Sequence, residues 1–183
     1  MKKIIVRCIA FCVASVLVFP QPGSPRRFAI PGYGQLLLQV PEAWNDELVQ
    51  SANDRPPTVI ITPAAGAPFK VTINVATTAP QVVQELDAET LRRMAESAAM
   101  NAAAHTVEKS PAVRELSGPA LQGFYFSARE KAPREGDFLF MTHGLARLEN
   151  MMLVFSIYTN AGQEAVVEAA LEMLREMTLR PGD

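Results

Sequence analysis

The stretch GDFLFMTHGLARLENMMLVFSIYT, Gly136 to Thr159, decides how the rest of the chain is read. Two apolar runs, Phe138 to Leu148 and Met151 to Thr159, flank Glu149 and Asn150, a connection short enough for a β-hairpin. Neighbouring residues of a strand point to opposite faces, so Met151, Leu153 and Phe155 share one side while Met152, Val154 and Ser156 share the other. The same parity groups Phe124 with Phe126 and sets Tyr125 opposite them. Both faces of this sheet are apolar, which requires a cover on each side. The expected cover is a helix on each face; the alternative is that part of one face stays open as a groove for a peptide or a lipid.

Further strands are expected before and after this hairpin. Leu121 to Arg129 and Val113 to Leu116 precede it, and β-branched residues dominate Thr58 to Thr62 and Lys70 to Ala76, with PAAGAP as the turn between them. Phe28 to Ile30 and Gln35 to Val40 form an opening hairpin around PGYG, Pro31 to Gly34. In VPEAWNDELVQ, Pro41 ends a strand, Trp44 seals one end of the core, and the polar loop SANDRPP follows.

Helical periods interrupt the strands twice. Between Thr77 and Thr106, Leu91, Met94, Ala98 and Ala102 recur at helical spacing against Arg92, Arg93, Glu96 and Asn101, with Asp87 as the N-cap. An alanine-rich face of Ala95, Ala98, Ala99, Ala102 and Ala103 permits close approach to a sheet. A second helix is predicted to begin near Asn160, whose side chain can cap it, with Gln163 three residues on in capping-box position. Its buried stripe is Val167, Leu171, Leu174 and Met177, its wet side is Glu164, Glu168, Glu172 and Glu176, and Pro181 and Gly182 close it. Strands, helix, strands, helix in this order predict an α+β domain whose mainly antiparallel sheet is covered by helices.

The features FAIPGYGQLLLQVPEAW, KVTINV, the alanine-rich helix, GPALQGFYFSARE, the long hairpin and the terminal amphipathic helix together resemble the PsbP-like superfamily. That superfamily includes the extrinsic photosystem protein, a Ran-binding import factor and bacterial DcrB-like domains. The resemblance covers nearly all of residues 25–183 and is one of pattern, with no diagnostic motif. It implies an α/β/α sandwich with a mainly antiparallel central sheet, and an accessory or binding role with no catalytic set to carry onto positions here. Some bacterial relatives act as chaperones for secreted effectors, so a chaperone-like factor is one alternative; those relatives lack an export signal.

Ahead of the domain, MKKIIVR is basic and Cys8 to Phe19 is uncharged and mostly apolar. Residues 1–24 therefore read as a secretory signal peptide, because an apolar core of that length falls short of the roughly 20 residues a spanning helix needs. No A-x-A pattern follows Phe19, so an uncut anchor in the inner membrane is the alternative. The expected location is periplasmic or secreted. Both cysteines, Cys8 and Cys12, lie in this segment, so the mature chain would hold no thiol and no disulfide. Removing Lys2, Lys3 and Arg7 from the 17 basic residues leaves 14 against 19 acidic ones, a net charge of −5. With no basic stripe interleaved with aromatics, nucleic acid is not expected as a partner. An unknown protein is, and the membrane enters only through an uncleaved N-terminal segment.

The residues that could carry chemistry are few. His143, in a strand between Thr142 and Gly144, reads as structural, with the glycine marking a bulge or a close backbone approach. His105 ends the first helix, where an imidazole can cap the last carbonyls. No short ligand spacing suggests a metal, no serine lies in G-x-S-x-G, and Ser117 reads as a turn residue. No cofactor is implied. The loop REKAPREGD gathers Arg129, Glu130, Lys131, Arg134, Glu135 and Asp137, either as a solvated hairpin tip or as a recognition loop. The sequence thus favours an exported, non-enzymatic binding protein of the cell envelope. An envelope hydrolase or metal-dependent enzyme with a site around His105 and His143 is the alternative from another class.

Overall fold

A computed structural model of the protein describes residues 23–50, 57–76 and 80–180. The N-terminal segment with Cys8 and Cys12, the greater part of the SANDRPP loop, and Pro181 and Gly182 lie outside the described residues. The chain runs β1 (Ser24–Ile30), β2 (Gly34–Val40), β3 (Trp44–Val49), β4 (Thr58–Pro63), β5 (Lys70–Val75), α1 (Pro80–Gln84), α2 (Ala88–Ala102), β6 (Arg114–Ser117), β7 (Leu121–Arg129), β8 (Phe140–Leu148), β9 (Met151–Thr159), α3 (Glu164–Arg175) and β10 (Thr178–Arg180).

Among the described residues, ten strands form two antiparallel sheets, one of seven in the order β3-β4-β5-β9-β8-β7-β6 and one of three in the order β1-β2-β10. The long hairpin β8–β9 is central to the larger sheet, and its register runs unbroken from Phe140↔Thr159 to Leu148↔Met151. Glu149 opens the two-residue turn at φ 54°, the left-handed conformation that such a tight reversal demands.

The face parity expected from the hairpin is found. Tyr125, Leu148, Met151, Leu153, Phe155 and Ile157 belong to one large core shared with α3 and the three-stranded sheet. Phe124, Leu145 and Met152 face the other way, onto Leu91 and Ala95 of α2, and Phe126 and Ala128 pack on Ala99. One cover therefore differs from the expected single helix: α3 shares its side with the small sheet, whose Phe28, Ile30, Leu36, Leu38, Val40 and Leu179 point inward. On the opposite side α2 lies over β7 and β8 and α1 over β9. The outer residues of β4 and β5, Thr58, Ile60, Thr62, Thr72 and Asn74, remain half-exposed there.

Several local expectations need correction. Residues 44–49 continue as edge strand β3, paired Trp44↔Pro63 to Val49↔Thr58. Asn, Asp and Glu are depleted in strands but suit an edge, where charge discourages pairing with a further chain. Trp44 is half-buried at the core margin, its ring 4.8 Å from that of Phe69. Asp87 caps α2 as expected, accepting from the Thr90 amide at 2.7 Å, and the hydrogen bonds from Thr90 hold its carboxyl below the usual 3.8. The buried line of α2 is Leu91, Ala95 and Ala99, however, while Met94 is 36% exposed. Arg92 turns back over the Phe124 ring at 4.9 Å, where a cation meets the negative face of the aromatic.

Helix α3 starts at Glu164, four residues after the expected Asn160, because Gly162 takes a left-handed φ of 79° that a continuing helix cannot contain. Half of the capping box forms, with the Asn160 amide donating to Gln163 Oε1 at 2.6 Å. The Asn160 side chain instead accepts from the Leu139 amide at 3.3 Å and so ties the helix start to the β7–β8 connection. The helix ends at Arg175, and the chain continues as β10 on β2, with Met177 buried between.

Candidate functional site

At one end of the large sheet, β7 leaves at Arg129 and β8 begins at Phe140, and the chain between them forms an arch tied to the end of β9 through the Leu139 amide and Asn160. A cleft of 590 Å³ lies under this arch, within the range of roughly 300 to 1,000 Å³ usual for small-ligand sites. Its apolar lining includes Ala128, Phe138, Phe140, Met141 and Tyr158, and its polar lining includes His105, Thr106, Glu130, Arg134 and Asp137.

The arch is shaped by backbone bonding. The Glu130 amide donates to the Leu139 carbonyl at 2.9 Å and closes its base. At its tip the Arg134 amide donates to Asp137 Oδ2 at 2.9 Å and the Asp137 amide to the Arg134 carbonyl at 3.1 Å, with Gly136 at φ 87° making the turn. On the helix side, Thr106 bridges to Glu130, the Val107 amide donates to the Arg129 carbonyl at 2.9 Å, and the Lys131 amide to the His105 carbonyl at 2.9 Å. Glu108 completes this join by accepting from the Arg129 amide at 2.8 Å. The segment after α2 is thus fastened to the end of β7 by an isolated bridge and its flanking hydrogen bonds.

The loop residues singled out in the sequence separate into two groups. Glu130, Arg134 and Asp137 line the cleft, whereas Arg129, Lys131 and Glu135 are not part of its lining. His105 lines it too, and the expectation that its imidazole caps α2 needs correction. The helix ends at Ala102, whose carbonyl is already taken by the backbone amides of His105 at 2.9 Å and Thr106 at 3.2 Å, and among the described residues no hydrogen bond joins the imidazole to a helix carbonyl. Ser117 is the last residue of β6, immediately before the turn, and its hydroxyl donates to Glu115 Oε1 at 2.6 Å.

The aromatics of the cleft were foreseen only as sheet residues. Met141 pairs with Tyr158 and Phe140 with Thr159, so the strand register carries these groups to one end of the sheet. Phe138, ahead of β8, places its ring 6.0 Å from that of Tyr158. These half-buried rings stand outside all three core clusters. The signal available in the sequence was the density of Phe and Tyr around Phe138 to Phe140 and at Tyr158; their convergence depended on long-range pairing.

His143 lies two residues along β8 from Met141, between Phe126 on β7 and Ser156 on β9. Its Nδ1 is 2.9 Å from Ser156 Oγ and its ring is 5.7 Å from that of Phe126. Burial lowers its pKa from the usual 6.5. No bulge accompanies Gly144; the β7 and β9 registers pass through it without a skip, and the glycine marks a close approach. Among the described residues neither imidazole is paired with a carboxylate, and no group of three or more His, Cys, Asp or Glu side chains comes together that could hold a metal ion.

A pH test follows from this burial. Below 6.5 the unfolded chain takes up a proton that the folded imidazole resists, so wild-type stability is full above 6.5 and falls as the pH drops toward the lowered folded value. His143→Gln should change stability at pH 7.5 by about 1 kcal/mol or less, since an amide can keep one hydrogen bond to Ser156. Urea unfolding at pH 7.5 and pH 5 should show a smaller acid loss in the variant. Equal losses would show that His143 does not govern this part of the pH profile.

No family model and no curated protein matches the chain. Among solved structures, the chain is similar to LpqN of Mycobacterium tuberculosis, described as involved in cell envelope biogenesis, with 13% identity, 86% of this chain and 90% of that chain covered, and a TM-score of 0.42. It is also similar to the cyanobacterial PsbP of Synechocystis sp. PCC 6803, with 12% identity, 86% of this chain and 94% of that chain covered, and a TM-score of 0.45.

Proposed function

We propose that this chain is an exported, non-enzymatic binding protein of the cell envelope that receives a segment of a protein partner in the cleft beneath the β7–β8 connection. The observation that carries the reading is the set of half-buried rings, Phe138, Phe140 and Tyr158, held at the cleft and outside every core cluster. Aromatic side chains left accessible in a concavity, with a few polar groups around them, are what ligand sites use for contact area and orientation. Export is supported by the basic start and apolar run of residues 1–24. No helix among the described residues is long and apolar enough to cross a membrane.

Photo-crosslinking in living cells tests the reading. The full chain carrying Tyr158→p-benzoylphenylalanine should give a discrete crosslinked species in the envelope fraction. The same group at Glu168, on the exposed side of α3, should not. Crosslinks of equal yield from both positions, or none from Tyr158, would remove the cleft from the function.

A further inference from the structure

The cleft carries information about the chemistry of what it takes. Its lining includes two carboxylates, Glu130 and Asp137, against one guanidinium, Arg134. Asp137 is held in place by the Arg134 backbone amide at 2.9 Å, and Glu130 receives the Ala132 amide at 3.4 Å. The Arg134 side chain has no such tether: among the described residues the ion pairs are Arg26 with Asp46 and Arg175 with Glu172. Asp137 is thus the better-held carboxylate of the lining, and among the described residues the Arg134 side chain is in no ion pair that would neutralise it. Beside the carboxylates stand the rings of Phe138, Phe140 and Tyr158, whose faces attract cations.

We propose that the cleft binds the side chain of an arginine or lysine presented by a partner polypeptide, the cationic head near Asp137 and Glu130 and the apolar stem against the aromatic rings. A cationic head on a methylene stem matches both parts of the lining, because such side chains bury the stem along apolar surface and keep the charge among polar groups. The inference rests on the reading of this domain as a binding protein and names what its cleft recognises.

The test is a titration of the isotope-labelled full chain, followed by the amide resonances of Gly136, Phe140 and Tyr158, with three probes. N-acetyl-leucyl-arginine amide should shift these resonances saturably, with a Kd on the order of millimolar, as suits one side chain. N-acetyl-leucyl-glutamate amide should not. The double variant Glu130→Gln, Asp137→Asn keeps both acceptor oxygens for the backbone amides and should weaken arginine-peptide binding roughly five- to tenfold with unchanged melting. Equal or tighter binding of the glutamate peptide, absence of shifts at the cleft, or an unaltered Kd in the double variant overturns the proposal. Spermidine, the third probe, distinguishes the source: binding tighter than that of the arginine peptide would assign the site to free amines and overturn the polypeptide source. A crosslink at Tyr158 together with no arginine-peptide binding would leave the binding role standing and remove only the cation.

Discussion

Gly144→Ala is expected to destabilise the protein by about 3 kcal/mol, an unusually large loss for one added methyl group. A Cβ at Gly144 would meet the Phe155 ring tip, and it would lie 2.7 Å from both the Phe124 carbonyl oxygen and Tyr125 Cβ. The ring could tilt, but the Phe124 oxygen belongs to the β7 backbone, which is paired with β8 along its whole length. Relief would require parting two strands paired in unbroken register from Leu121↔Leu148 to Arg129↔Phe140. Chemical unfolding of the variant measures the loss. A cost below about 1 kcal/mol would show that β7 and β8 can separate locally without penalty, and the close-approach account of this glycine would fail.

Phe155→Ala is expected to cost roughly 3 to 5 kcal/mol, the range for truncating a fully buried large aromatic. Phe155 is 1% exposed, pairs with Gly144 across the β8–β9 ladder, and contributes to the large core beneath α3 and the small sheet. Its ring occupies the space that a side chain at position 144 would fill, so the two sites are coupled. With Phe155 truncated, one of the three contacts that oppose a methyl at 144 disappears, and the double variant should lose less than the sum of the singles by about 0.5 kcal/mol or more. Strict additivity would mean that the ring does not cover the glycine. A small loss from Phe155→Ala alone would mean that the core on that side can collapse around the gap.

These pairs show which parts of the fold could be read before the structure. β7 and β9 begin and end where their apolar, aromatic-rich runs place them, Leu121 to Arg129 and Met151 to Thr159, because a strand buried on both faces writes its length as an apolar run. Asp87 announces α2 because a cap is a bond between residues three apart. β3 was hidden because its polar residues serve an edge. β10 was hidden because three residues after a helix carry no period, and its existence depends on pairing with Leu36 and its neighbours on β2. Met94 was assigned to the wrong side of α2 because a helical stripe defines a face only to within a residue; the sheet beneath selected Leu91, Ala95 and Ala99.

For the site, Glu130, Arg134 and Asp137 were legible as members of a charged loop between two strong strands, and Phe138, Phe140 and Tyr158 as aromatics of the sheet. What could not be read was that they meet. By itself the sequence determined the α+β class, the central hairpin, the two apolar faces and the cap of α2, all of which rest on interactions between near neighbours or on the two-residue period of a strand. Only the tertiary structure decided that the first hairpin joins β10 in a second sheet, that His105 is brought beside the β7–β8 connection, and that the rings at the end of β9 form a cleft. Those outcomes depend on contacts between residues tens of positions apart, such as the Thr106 bridge to Glu130 and the Asn160 bond to Leu139. No local period encodes them, because they are chosen by which surfaces remain unburied once the central sheet has formed.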